Sequence, residues 1–125
     1  MKKNISTNNA PAAIGPYSQA VEAGDTVYVS GQLPINPSTG SFADGGIKEQ
    51  ARQSLTNISN ILAQAGLSMA NVVKVTVLLA DIADFAEVNE VYAEFFSEPY
   101  PARSAFAVAA LPKNARIEIE AIAVK

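Results

Sequence analysis

The sequence predicts an α+β two-layer sandwich, a mixed sheet of five or six strands with two helices on one face. Three observations carry that expectation. Two stretches, residues 47–65 and 84–96, repeat apolar residues at steps of three and four, the spacing of a helix with one buried side. Period-two alternation marks strands before, between and after them. The resulting order is β-β-α-β-α-β-β, and two helices are enough to cover only one face of such a sheet.

Residues 1–13 are polar apart from an isolated Ile5 and fit a short edge strand or a loose arm. Pro11 and Pro16 bracket Ile14-Gly15, a rigid turn that places Tyr17. Ser18–Ala23 and Thr26–Gln32 flank Gly24-Asp25, a hairpin signal. Alternation in its second strand puts Val27, Val29 and Leu33 on one face and Tyr28, Ser30 and Gln32 on the other. Gly31 inside this strand points to a bulge or a close approach of backbone. Pro34–Gly46 reads as a loop.

The first helix runs over Ile47–Ala65, with Ile47, Ala51, Leu55, Ile58, Leu62 and Ala65 as its buried stripe. Lys48, Arg52, Asn57 and Asn60 lie off that stripe, and Gly66 ends the helix. Asn71–Ala80 is a strand with Val73, Val75, Val77 and Leu79 facing one way. Lys74, Thr76 and Leu78 face the other. Asp84, with Glu87 three residues on, reads as a capping-box variant opening the second helix. Phe85, Val88, Tyr92 and Phe96 form its buried stripe, and Pro99 and Pro101 end it. The closing pair is broken at Leu111-Pro112-Lys113-Asn114. Its first strand sets Arg103, Ala105 and Ala107 on one face and Ser104, Phe106 and Val108 on the other. Its second, Arg116–Val124, sets Ile117, Ile119, Ala121 and Ala123 against Glu118, Glu120, Ile122 and Val124. The face without helices is expected to carry Tyr28, Ser30, Thr76, Leu78, Ala105, Ile122 and Val124. That set is apolar enough to call for a symmetric oligomer.

Composition narrows the chemistry. The 125 residues suit one domain over residues 1–125, and 49% hydrophobic content suits a globular core. A net charge of −3 with scattered cations argues against a nucleic-acid partner. With no cysteine and no histidine, catalysis must use carboxylates, Arg, Lys, Tyr, hydroxyls, backbone or water. No cofactor or metal site is expected, and Gly45-Gly46 before a helix is weak evidence for an anion site. Met1-Lys2-Lys3-Asn4 leads into no apolar run, so no signal peptide is expected. Without a span of roughly 20 apolar residues, no membrane partner is expected and the cytoplasm is the default.

Residue types alone leave the site open. Arg103 either pairs with Glu118 or Glu120 across neighbouring strands or binds an anionic ligand. The two glutamates share a face and fit a solvated surface pair equally well. Tyr17 fits a core position, and Asn89 an exposed helix position.

The run Pro-Ala-Arg-Ser at 101–104, Leu-Pro at 111–112 and Ile-Glu-Ile-Glu-Ala at 117–121 resembles the signature of the RidA/YjgF family of imine/enamine deaminases. Ile14-Gly15-Pro16-Tyr17-Ser18-Gln19-Ala20 and Ser30-Gly31-Gln32-Leu33-Pro34 resemble its other two motifs, so the likeness spans about residues 10–124. The resemblance implies a chorismate-mutase-like homotrimer around a central barrel, with pockets at subunit interfaces. It implies hydrolysis of 2-imino acids and their enamine tautomers to 2-keto acids and ammonia. Within it, Arg103 matches the arginine that binds the substrate carboxylate, and Glu118 matches the catalytic glutamate. Tyr17 closes the pocket from a neighbouring subunit, Ser30 and Gly31 line it, and Asn89 lies near it. Glu120 is left structural. Many members carry cysteine where this chain has Ala105, so only that residue's backbone is left to contact substrate. Two other functions stay open on the same fold: a non-catalytic ligand-binding or regulatory trimer, and the endoribonuclease or translation-inhibitor role proposed for some members.

Overall fold

The structure, a computed structural model, describes residues 1–125. Six strands form one mixed sheet: β1 (Lys2–Ile5), β2 (Ala20–Ala23), β3 (Thr26–Gln32), β4 (Val72–Leu79), β5 (Ala102–Ala107) and β6 (Ile117–Val124). Their spatial order is β1-β2-β3-β6-β4-β5. β4 and β5 are parallel, and every other pair is antiparallel. Helices α1 (Ile47–Gln64) and α2 (Phe85–Phe95) pack beside each other, with α1 over β3 and β6. The expected two-layer α+β architecture is therefore present. Neither helix is long and apolar enough to cross a membrane.

Alternation sets the faces as expected over most of the sheet. Val27, Val29, Val75, Val77, Leu79, Ile117, Ile119, Ala121 and Ala123 are buried in one core cluster with Leu55, Ile58 and Leu62 of α1. The β2–β3 hairpin turns at Gly24, whose φ of +60° is the positive value that a two-residue hairpin turn requires. The other face leaves Tyr28, Phe106 and Val124 exposed.

Five expectations need correction. β3 is bulged between Val29 and Gln32, so Gln32 pairs with Ile119 and turns inward, where it is buried. A bulge between Val72 and Lys74 likewise buries Val72 and leaves Val73 exposed. In both places one extra residue reverses the alternation that a straight strand would follow. Ala105 stands opposite buried Val77 in a parallel pair and packs against the core, so it belongs to the helix face. Asp84 makes no capping hydrogen bond to α2 and is paired instead with Arg116 at 3.0 Å. The cap in that region is Asp81, whose Oδ1 accepts from the Ala83 amide at 2.9 Å.

The fifth correction concerns Asn57, which is fully buried. Its Nδ2 donates to the carbonyls of Leu33 (3.3 Å) and Ile35 (2.9 Å), and its Oδ1 accepts from Gln53 at 2.9 Å. It ties α1 to the segment that leaves the β3 bulge. Asn57→Leu strips partners from those carbonyls and is expected to cost about 1–3 kcal/mol in urea unfolding. A change within error would mean that water satisfies them instead.

Candidate functional site

Glu118 lies between buried Ile117 and Ile119 on β6, so alternation turns it to the face away from the helices. Beside it runs the β3 bulge at Ser30-Gly31. Gly31 is needed here for space: a Cβ on it would collide with the Glu118 carboxylate, meeting Cδ at 2.8 Å. The carboxyl is half-buried, and desolvation, reinforced by the nearby charge of Glu120, pushes its pKa above the ordinary value of 4.5.

A cleft of about 560 Å³ opens over this carboxyl, lined by Tyr17, Ser30, Gly31, Lys113 and Glu118 among others. Ser30 Oγ donates to the Ser18 carbonyl at 2.6 Å, which leaves the hydroxyl oxygen free to accept. Tyr17, 54% exposed, follows the Gly15 turn and hangs at the mouth. Gln19, almost wholly buried, holds the wall behind it. Its Oε1 accepts from the Thr7 amide at 2.7 Å, and its Nε2 donates to the carbonyls of Thr7, Ala10 and Pro11.

Arg103 is not in this cleft. β4 separates β5 from β6, and Arg103 stands opposite buried Val75, on the helix face. A cross-strand pair with Glu118 or Glu120 is therefore excluded within one chain. Arg103 Nη1 donates to Asn89 Oδ1 at 2.7 Å. Together with Tyr92, Ala93, Tyr100 and Pro101 these two residues line a second cleft of about 420 Å³. Ala105 lies two residues further along the same face of β5. The candidate residues thus fall into two groups, Tyr17, Ser30, Gly31 and Glu118 in one and Arg103, Asn89 and Ala105 in the other. No single chain brings the two groups together.

The sequence reading missed Gln19 and Lys113 as parts of the first cleft. Gln19 sits inside a recognised motif, but its four hydrogen bonds depend on an arm brought back from residues 7–11. Lys113 carries only a turn signal in the sequence. Both it and Asn114 have φ of +57°, a conformation that Lys rarely adopts, and this bends Lys113 to the cleft rim.

The Endoribonuclease L-PSP family model matches residues 7–125. A bovine protein named 2-iminobutanoate/2-iminopropanoate deaminase is 58% identical over all of this chain and 91% of its own length. The human protein of the same name is 54% identical with the same coverage. Among solved structures, E. coli TdcF with bound serine superposes with a TM-score of 0.93 at 49% identity, covering 98% of both chains. RidA from an Antarctic Psychrobacter superposes at 0.94 with 51% identity, covering 98% of this chain and 99% of its own. The motifs around Tyr17, Gly31, Arg103 and Glu118, a match over nearly the whole chain and these superpositions place the protein in the RidA/YjgF family, described by its model as Endoribonuclease L-PSP.

Proposed function

We propose that the protein hydrolyses short 2-imino acids and their enamine tautomers to 2-keto acids and ammonia, as a homotrimer with its sites between subunits. The observation that carries this is the Glu118 carboxyl, packed on Gly31, partly desolvated and open to a cleft. Relatives named as deaminases of 2-iminobutanoate and 2-iminopropanoate support it, as does a relative crystallised with serine, a small carboxylate ligand.

The chemistry follows from the two groups of residues. Arg103 of one subunit takes the substrate carboxylate on the guanidinium edge that Asn89 leaves free. Glu118 of the next subunit accepts a proton from water as the water oxygen bonds to C2 of the imine. The imine nitrogen gains a proton, giving a carbinolamine. Glu118 then gives its proton to the amino nitrogen, the C–N bond breaks as ammonia leaves with the bonding pair, and the hydroxyl loses its proton to water to form the ketone. An imine carbon is already electrophilic, so placing water and one base supplies most of what the reaction needs. Ser30 Oγ is available to accept from the substrate nitrogen, and Tyr17 shields the cleft. Trimer formation would also cover Tyr28, Phe106 and Val124. The setting is cytoplasmic, and no RNA cleavage is expected.

An amino acid oxidase generating imine in the presence of semicarbazide tests the reading. The protein is expected to slow semicarbazone formation, and Arg103→Ala is expected to lose about 10²-fold or more of that effect. No effect across several imino acids, with 2-ketobutyrate still raising the melting temperature, would leave a ligand-binding trimer instead.

The raised Glu118 pKa has two consequences of opposite value. As a base Glu118 must be ionised, so kcat/KM is expected to fall with decreasing pH through a midpoint above 4.5. For stability, the folded state binds this proton more tightly than the unfolded chain. Stability therefore declines as pH rises from the unfolded value through the folded one, and the penalty persists above it. Glu118→Gln is expected to raise the neutral-pH melting temperature, with the gain vanishing below about pH 4.5. An unchanged melting temperature at pH 7 would show that the carboxylate is fully solvated.

A further inference from the structure

Helix α2 spends three side chains on one guanidinium. Phe85, Asn89 and Tyr92 are spaced by four and three residues, so they share one side of the helix. Arg103 Cζ lies 4.7 Å from the Tyr92 ring centroid and 5.1 Å from that of Phe85. Asn89 accepts from Nη1 between them. Arg103 forms no ion pair. Two of the three acids on α2 are paired elsewhere, Glu90 with Lys48 and Glu94 with Arg52. A carboxylate partner would steady the guanidinium but also neutralise the charge a ligand needs.

We infer that Tyr92 and Phe85 are positioning residues, whose ring faces hold Arg103 in place of a carboxylate and keep its charge available to the substrate carboxylate. This rests on the reading of Arg103 as the carboxylate-binding group. The sequence pattern assigns both rings to the helix's core stripe, and Tyr92 does pack on Phe96 at 4.5 Å between centroids. The same Tyr92 ring also meets the Arg103 guanidinium. Its hydroxyl is buried and has no hydrogen-bond partner, so the useful part of Tyr92 is the ring. A phenylalanine would serve equally well. The planar guanidinium can lie against two rings and still offer an edge to a carboxylate, which an ammonium cannot do.

The test uses the full-length protein, with 2-ketobutyrate as a stable carboxylate probe in calorimetric titration. Tyr92→Phe is expected to keep Kd within about twofold. Tyr92→Leu and Phe85→Leu are each expected to weaken it about tenfold, and the double variant further. Phe85 is only partly buried, so Phe85→Leu stands as the second variant if Tyr92→Leu does not fold. The Arg103 Nε–H resonance, shifted by ring current in the wild type, is expected to move toward its free value in both Leu variants and to hold in Tyr92→Phe. That signature reads the cradle whether or not the protein turns over an imine. A wild type without turnover would therefore end the proposed function while leaving this inference standing. Leu variants with unchanged affinity and unchanged Arg103 resonance would overturn it, as would a Tyr92→Phe variant as weak as Tyr92→Leu.

Discussion

Arg103→Ala and Glu118→Gln, each nearly inactive alone, are expected to recover activity when their subunits are mixed. The reason is the sheet order. β4 lies between the strands that carry the two residues, and they project from opposite faces. A site that uses both groups must therefore take its guanidinium and its carboxylate from different chains. Glu118→Gln removes the proposed base and is expected to lower kcat by ~10²–10⁴-fold while leaving 2-ketobutyrate binding nearly intact. Arg103→Ala removes the charged fork and is expected to act mainly through binding. In a cyclic trimer assembled at random from equal amounts of the two, about one quarter of sites join a wild-type Arg103 to a wild-type Glu118. Activity near that fraction after joint unfolding and refolding is the expected result. No recovery, with mixed trimers seen by native mass spectrometry, would rule out a site shared between subunits.

Gly31→Ala is expected to separate activity from stability. Gly31 does not have a positive φ, so alanine brings no backbone strain, and its whole effect comes from the methyl group. That methyl collides with the Glu118 carboxylate, the free end of a flexible side chain that can swing aside. The fold should absorb the change with a small shift in melting temperature. The carboxylate, displaced by an ångström or more, is expected to lose about 10²-fold in kcat/KM. A variant with full activity would mean that Glu118 works from a different rotamer. A variant that fails to fold would mean that the bulge tolerates no side chain at all.

These expectations separate what local pattern reveals from what assembly decides. The faces of β5 and β6 are legible because a strand alternates with period two, so Arg103, Ala105 and Ala107 were correctly grouped, as were Glu118 and Glu120. Alternation says nothing about which strand lies next to which. The insertion of β4 between β5 and β6 follows from a parallel β4–β5 pair, which α2 connects. A cross-strand pair of Arg103 with Glu118 or Glu120, one of the two readings that the residue types allow, is therefore excluded within the chain. Bulges are similarly hidden. Gly31 hinted at one, but the inward turn of Gln32 and the reversal at Val72-Val73 depend on registers set by neighbouring strands.

The two-layer α+β class, both helices, the hairpin at Gly24 and the family are legible along the chain, because each rests on local periodicity or on contiguous motifs. Folding alone brings Glu118 against Gly31, clamps the arm at residues 7–11 with Gln19, and sets Arg103 among Phe85, Asn89 and Tyr92. It also places the two groups of candidate residues on opposite faces of the sheet. Those facts are set by contacts between residues distant along the chain, whose partners are chosen by strand order and packing rather than by any pattern within one segment.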